Sequence, residues 1–463
     1  MVSGTTQPRG RKVLAPIAAT VVAGTLAATA PTAMASPEAV AAAEDEAGCQ
    51  LVRLEQPHGG YDGGLMDIEQ VDGQTVYYGS TFLFDKKGGE HQRALVWRGL
   101  DAEPVRVGPS GYEHDVAFEL TPNGLVNGIS ENYSDGTVVA WVQDLATMEL
   151  RFFDLDSGPR GADHGYSWLR RINSDGEAVG WVDRGADPGV YEGADAVAFE
   201  SADSPMTLLP GSEDAIEARA TGINDHGARA GTISTETYPG NDQWIIWEPV
   251  VWEADGTVTT LATPHGLEGA PRAIKDDGSV SGGIVWGEDP ETLHLEAAYW
   301  PEPDVNVALG LLPGGGWSDV LGMDEGGWLV GGMDRKVRDK HPMADEGFLS
   351  HGFFWTPEVG EGTVRVLPSL FGQRKGLSSW RQWMTGSVHA VNRDLDQAGT
   401  GSHVGYRKGR AITAPTVYLN ASECGAEVET THVPFFLAEG EDDRAGGADG
   451  YLERRSAEVG TTR

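Results

Sequence analysis

Ile172-Asn-Ser-Asp-Gly-Glu-Ala-Val-Gly180 and Ile223-Asn-Asp-His-Gly-Ala-Arg-Ala-Gly231 share one pattern: an apolar residue, Asn, two polar residues, Gly, and a second Gly four positions on. Ile274-Lys-Asp-Asp-Gly-Ser-Val-Ser-Gly282 and Met323-Asp-Glu-Gly-Gly-Trp-Leu-Val-Gly331 repeat it. Looser copies start at Leu120 (LTPNGLVNG) and Val391 (VNRDLDQAG), and the loosest at Ile68 (IEQVDGQTVYYG). The starts from Leu120 to Met323 are 52, 51, 51 and 49 residues apart, a period that marks a repeat architecture. Chemically the segment is a hairpin. An apolar residue ends one strand, Asn or Asp folds its side chain onto the turn, and the first Gly takes a positive φ as the chain re-enters the sheet. The second Gly lies inside the next strand, where a missing side chain implies close backbone approach or cover by an aromatic.

Two further strands follow each hairpin. One is short, apolar and ends in an aromatic: ALVW to Trp97, VVAW to Trp141, AVAF to Phe199, PVVW to Trp252, AAYW to Trp300, GFFW to Trp355 and PTVY to Tyr418. The other comes after a polar turn: PVRV at 104–107, LRFF at 150–153, MTLL at 206–209, VTTL at 258–261, VALGLL at 307–312 and TVRVL at 363–367. No 3.6-residue periodicity lies between them. The unit is therefore four strands, a to d, and such units of roughly 50 residues are propeller blades. The expected fold is all-β: a seven-bladed β-propeller of four-stranded antiparallel blades across residues 49–424. Strand d is found six times within the run. The missing copy is Leu51-Val-Arg-Leu54 near the other end, so the N-terminal strand is expected to close the last blade. Residues 433–437 (VPFFL) are the rival for that place.

The ends read differently. Arg9, Arg11 and Lys12, an Ala-rich apolar run and Ala33-Met34-Ala35 form an expected export signal over residues 1–35. Removing it takes away three of the 34 basic residues and none of the 70 acidic ones, leaving a net charge near −39. That charge repels phosphate backbones and anionic lipid, which excludes nucleic acid and a membrane surface as partners. A secreted, extracellular monomer is expected, with residues 36–48 a flexible acidic N-terminus. Residues 425–463 are expected to be a largely disordered acidic extension. Two cysteines, Cys49 and Cys424, lie at the two edges of the repeat region; outside the cell such a pair is expected to be a disulfide.

The INxxGxxxG turn, the aromatic-ending strand and Leu311-Leu312-Pro-Gly-Gly-Gly316 before the next unit together resemble the HAF-repeat extracellular proteins of bacteria, over roughly residues 50–420. The His-Ala-Phe core itself survives only approximately, as His351-Gly-Phe-Phe-Trp355. The resemblance implies a secreted repeat protein and carries over no catalytic residue.

In a blade the a–b and c–d turns open on one face, and the longer, more individual b–c and d–a loops on the other. Variable loops on a rigid scaffold carry function. Those loops hold Tyr112, His114, Asp163, His164, Trp168, Trp247, Trp286, Trp317, Asp319 and Trp383, the candidate ligand-binding residues. Aromatic platforms flanked by carboxylates suit sugar rings, so the expected partner is an extracellular ligand, a carbohydrate or a cell-envelope component. The chain has no GxSxG, HExxH, Walker loop or CxxC, and nothing points to a cofactor. The Asp-rich turns lack the ligand series of a calcium loop, so no metal site is expected. A noncatalytic binding module is the first reading and a propeller-scaffold polysaccharide hydrolase or lyase the alternative, since paired carboxylates are not visible among 70 acids.

Overall fold

The computed structural model describes residues 50–84, 89–134, 136–155, 167–184, 193–238, 241–263, 268–286, 294–312, 315–336, 348–358, 363–367, 383–385, 388–392, 397–400, 403–407, 410–413, 415–424 and 426–430. The export signal, the acidic segment to residue 48, Cys49, Asp163, His164, the rival strand at 433–437 and the acidic tail lie outside the described residues. Among the described residues the chain is built of β-strands, with no α-helix.

The strands form antiparallel sheets in the expected order, each strand beside the one before it. One runs Trp168–Ile172, Ala178–Asp183, Ala194–Phe199, Thr207–Leu208, and the next Glu217–Ile223, Arg229–Ser234, Glu248–Trp252, Val258–Thr260. A third is Glu268–Ile274, Val280–Trp286, His294–Glu302, Val305–Gly310. Upstream, Gly60–Val71, Gln74–Phe84, Glu90–Arg98 and Val105–Arg106 pair in turn, as do His114–Leu120, Leu125–Glu131, Val138–Asp144 and Leu150–Phe153. The parallel pair Gln92–His114 joins these two sets into one eight-stranded sheet. Downstream, Ser318–Met323, Leu329–Lys336, Phe348–Trp355 and Thr363–Val366 gain a fifth strand, Ala426–Glu429. The C-terminal extension thus begins as a sheet edge, a strand its acidic composition conceals. The last set is Val388–Val391, Gln397–Thr400 and Thr416–Leu419, and its fourth strand is Gln50–Arg53, with Gln50 opposite Leu419 and Arg53 opposite Thr416.

The repeat segment makes the turn its chemistry requires. In the 173–176 turn the Asn173 Oδ1 accepts the N–H groups of Asp175 (3.1 Å) and Glu177 (2.9 Å), and Gly176 sits at φ +83°. Asn also has a second role. Its Nδ2 donates to the carbonyl of Asn224 in the next unit (3.1 Å), and Asn224 does the same to Lys275 (2.8 Å). Beside them the Ser174 N–H reaches Asp225 Oδ1 and the Asp225 N–H reaches Asp276 Oδ1. Neighbouring a–b turns are therefore stitched together on one face, 51 residues apart.

The second Gly faces a β-bulge. Every first strand of these sheets shifts register at the same level: after Leu65, Ala117, Leu169, Ala220, Pro271, Val320 and Val388. Next to the bulge, Gly180, Gly231, Gly282 and Gly331 leave the room taken by the carbonyl oxygens of Trp168, Arg219, Ala270 and Asp319 on the first strand. The aromatic ends of the third strands close over this spot. Trp97, Trp141, Phe199, Trp252, Trp300, Trp355 and Tyr418 are all buried, each in a slab of side chains between two neighbouring sets of strands. Several indoles find an acceptor, as a buried Trp requires: the Nε1–H of Trp252 donates to Pro210 O and that of Trp300 to Ala262 O. The core is thus divided into slabs between sheets stacked face to face, the packing of a propeller.

Candidate functional site

Antiparallel pairing brings the start of each first strand, the end of the second and the start of the third to one end of a sheet, the end bearing the long connections. Trp168 opens its strand and pairs with Trp181 across the hairpin; His114 opens another, opposite Glu131. His114 is buried, its ring 4.5 Å from that of Tyr133, and burial lowers its pKa against the pull of Glu131, Glu113 and Glu90. Tyr112 is half-buried just before it. Trp317 is half-buried, its N–H held by Asp334 Oδ1 at 2.9 Å. Asp319 turns inward: it is buried and ion-paired with Arg272 at 2.9 Å, so its charge is engaged within the protein. Trp286 closes Val280–Trp286 and Trp383 opens Trp383–Thr385; their side chains lie outside the described set.

What the fold does bring together is a run of rings across three sheets. Phe118 lies 5.7 Å from Trp168, and Trp168 stacks on Trp181 at 6.1 Å with planes 4° apart. Arg219 then stands 5.2 Å from the centroid of Trp181 and 5.2 Å from that of Trp247. A guanidinium over an indole face is attracted by the ring quadrupole. Trp168, Trp181 and Trp247 are each half-buried. Beneath them lie two buried carboxyls. Glu217 pairs with Arg219. Asp183 is pushed up to about 7, chiefly by burial, with Glu217 adding to the rise and Arg219 opposing it.

Of this cluster, Trp168 and Trp247 are legible from loop position. Trp181, Arg219, Asp183 and Glu217 are not, because they sit within strands. One signal exists for Trp181. The residue after the second Gly is Ser80, Ile129, Thr232, Gly283, Gly332 and Thr400 in the other units, so a Trp there breaks the column.

No protein-family model and no curated protein matches the chain. Among solved structures it is similar to the β-propeller domain of the Trilobed protease from Pyrococcus furiosus, at 11% identity and a TM-score of 0.45, covering 84% of this chain and 100% of that one. It is also similar to a structure of prolyl endopeptidases, at 11% identity and a TM-score of 0.45, covering 78% of this chain and 50% of that one. A third likeness is to the phage phi92 endosialidase, at 10% identity and a TM-score of 0.36, covering 86% and 71%. No helix among the described residues is long and apolar enough to cross a membrane.

Proposed function

We propose that this is a secreted propeller of seven blades, closed by its N-terminal strand, that binds an extracellular carbohydrate at its long-loop end. Three observations support the ring. Gln50–Arg53 takes the fourth place beside Thr416–Leu419. The Trp97 Nε1–H donates to Glu55 O just after that strand, as Trp252 donates to Pro210 O just after Thr207–Leu208. Around the molecule each first strand packs on the next, and Val388–Val391 packs on Gly60–Val71. The same arrangement supports a Cys49–Cys424 disulfide. Cys49 precedes Gln50, which lies opposite Leu419, and from Leu419 a short turn leads to the buried Cys424. Non-reducing peptide mapping of the secreted protein should return the two cysteines in one linked pair. Reduction should lower the melting temperature, by up to about 5 kcal/mol of stability in the chain-entropy model, without preventing folding. Two alkylatable thiols in the native protein would remove the staple.

The binding reading is carried by the half-exposed run Trp168–Trp181–Arg219–Trp247. Indoles offer apolar area at little entropic cost, and the carboxyls beneath them can accept hydroxyl protons. The test is a glycan array followed by calorimetry on any hit. Trp247→Ala should weaken binding about tenfold, the scale of a lost aromatic anchor, with a small change in melting temperature because that ring is partly exposed. Trp168→Ala should also cost stability, since Phe118 packs against it. A hit whose affinity is indifferent to Trp247→Ala would move the site elsewhere.

One observation favours the hydrolase or lyase alternative: Asp183, with a pKa near 7, is poised as a general acid beside Glu217. Product analysis on any bound glycan, with Asp183→Asn as control, separates the two.

A further inference from the structure

The bulges place one residue of each first strand at a common level: Met66, Phe118, Arg170, Thr221, Arg272, Leu321 and His389. These strands converge. Arg170 acts electrostatically on Glu119, Arg171, Arg272, Asp319 and His389, groups contributed by five different first strands. Two of the cations there are answered. Arg272 pairs with Asp319 at 2.9 Å and Arg171 with Glu119 at 3.3 Å. A third carboxyl, Asp67, faces Arg171 and accepts the N–H groups of Ile68 and Leu120. Arg170 has only the Phe118 ring, 5.2 Å from its guanidinium carbon, and no carboxylate or hydrogen-bond acceptor among the described residues. The Nε atoms of Arg171 and Arg272 are buried without an acceptor.

A guanidinium presents five N–H donors in a planar fork and stays charged wherever it is placed. Arg170 is half-buried, and the carboxylates that act on it, Glu119 and Asp319, are each paired with another arginine, so its guanidinium is left open to an anion. In a chain of net charge −36 with 70 carboxyls, its isolation is the more telling. Bulges also re-aim side chains beside sites.

We propose that Arg170, with Arg272 and Arg171 around it, is the receptor for a small oxyanion, a carboxylate or a phosphate group, seated where the first strands converge. The site shares the ring arrangement of the reading above and the Phe118 ring, but not Trp181, Arg219 or Trp247, so the two fail separately.

Calorimetric titration of the secreted protein with inorganic phosphate and with galacturonate, at constant ionic strength against chloride and neutral galactose, tests it. At least one oxyanion should bind saturably, and the tighter one identifies the source as phosphate or sugar acid. Arg170→Gln should weaken that binding at least about tenfold, the scale of a charged hydrogen bond, and Trp247→Ala should leave it unchanged. If Arg170→Gln does not fold, the imidazole resonances of His389, which faces Arg170 and Arg171, should shift on adding the oxyanion to the unaltered protein and saturate with the calorimetric curve. No saturable binding of either oxyanion, binding indifferent to Arg170→Gln, or a silent His389 would overturn the proposal.

Discussion

Gly231→Ala should cost about 3 kcal/mol or more, although it adds one methyl group to a strand. Gly231 pairs with Ala220 on one side and Val250 on the other. A Cβ there would overlap the Arg219 carbonyl oxygen, just before the bulge, and would lie 2.8 Å from the Trp252 ring and 2.9 Å from Ala220 Cα. None of these can yield cheaply: two are backbone, and Trp252 is fully buried with its Nε1–H committed to Pro210 O. The control is Gly256→Ala. That glycine has φ +88° in an open turn with nothing within 4 Å, so only the left-handed strain of about 1 kcal/mol should be lost. Denaturant unfolding of both variants gives the comparison. Equal losses would mean that the bulge and the second glycine are not coupled.

Why the fold could be read ahead of the site follows from the same residues. The Asn-x-x-Gly turn, the second Gly and the aromatic strand end recur because every unit solves one local problem, and a local problem leaves a local signature. The a–b–c–d order and the place of Gln50–Arg53 beside Thr416–Leu419 were both legible on that basis. What was not legible is what crosses between units. Asn224 reads as a turn former, yet its Nδ2 bonds the neighbouring unit at Lys275 O. Glycine 231 reads as a close approach, but the bulge it admits is a property of the opposite strand. Ala426–Glu429 carries no repeat signature, because it lies on an edge left free by Thr363–Val366.

The candidate site divides along the same line. Loop position finds Trp168 and Trp247, whose neighbours Trp181 and Arg219 lie within strands of sheets about 50 residues apart. Position alone also takes Asp319 for a surface acid. Its partner Arg272 lies 47 residues away, and only folding shows that the pair is internal. Arg170 has no sequence signature at all: it is one basic residue of the Arg170-Arg171 pair, and the bulge decides which of the two departs from the ladder.

Acidification from pH 8 to about pH 5 should stabilise this protein. Burial pushes the carboxyls of Asp67 to about 6, Glu69 to about 8, and Glu119, Asp183 and Asp324 to about 7. In the unfolded chain such groups titrate near 4. A carboxyl whose folded value lies above its unfolded one holds its proton more tightly in the folded state. Between the two values the folded state binds more protons, so stability falls as pH rises through that window. For Asp183, 7% exposed, the shift from 3.8 to about 7 corresponds to a difference on the order of 2–4 kcal/mol, of which roughly 60% is regained by pH 5 and the rest only below it. Relief of self-repulsion at a net charge of −36 acts in the same direction. A carboxyl such as Asp277, whose burial is outweighed by the Ser279 hydrogen bond and by Lys275 so that its pKa is lowered, opposes it, losing stability only as pH falls through its folded value. Stability should therefore be greater near pH 5 than at neutral pH. Urea unfolding at pH 8, 6.5 and 5 should show the midpoint rising at each step, and Asp183→Asn should flatten the rise. A midpoint constant or falling on acidification would mean that these carboxyls stay charged in the folded protein, each with a cation close enough to offset its burial.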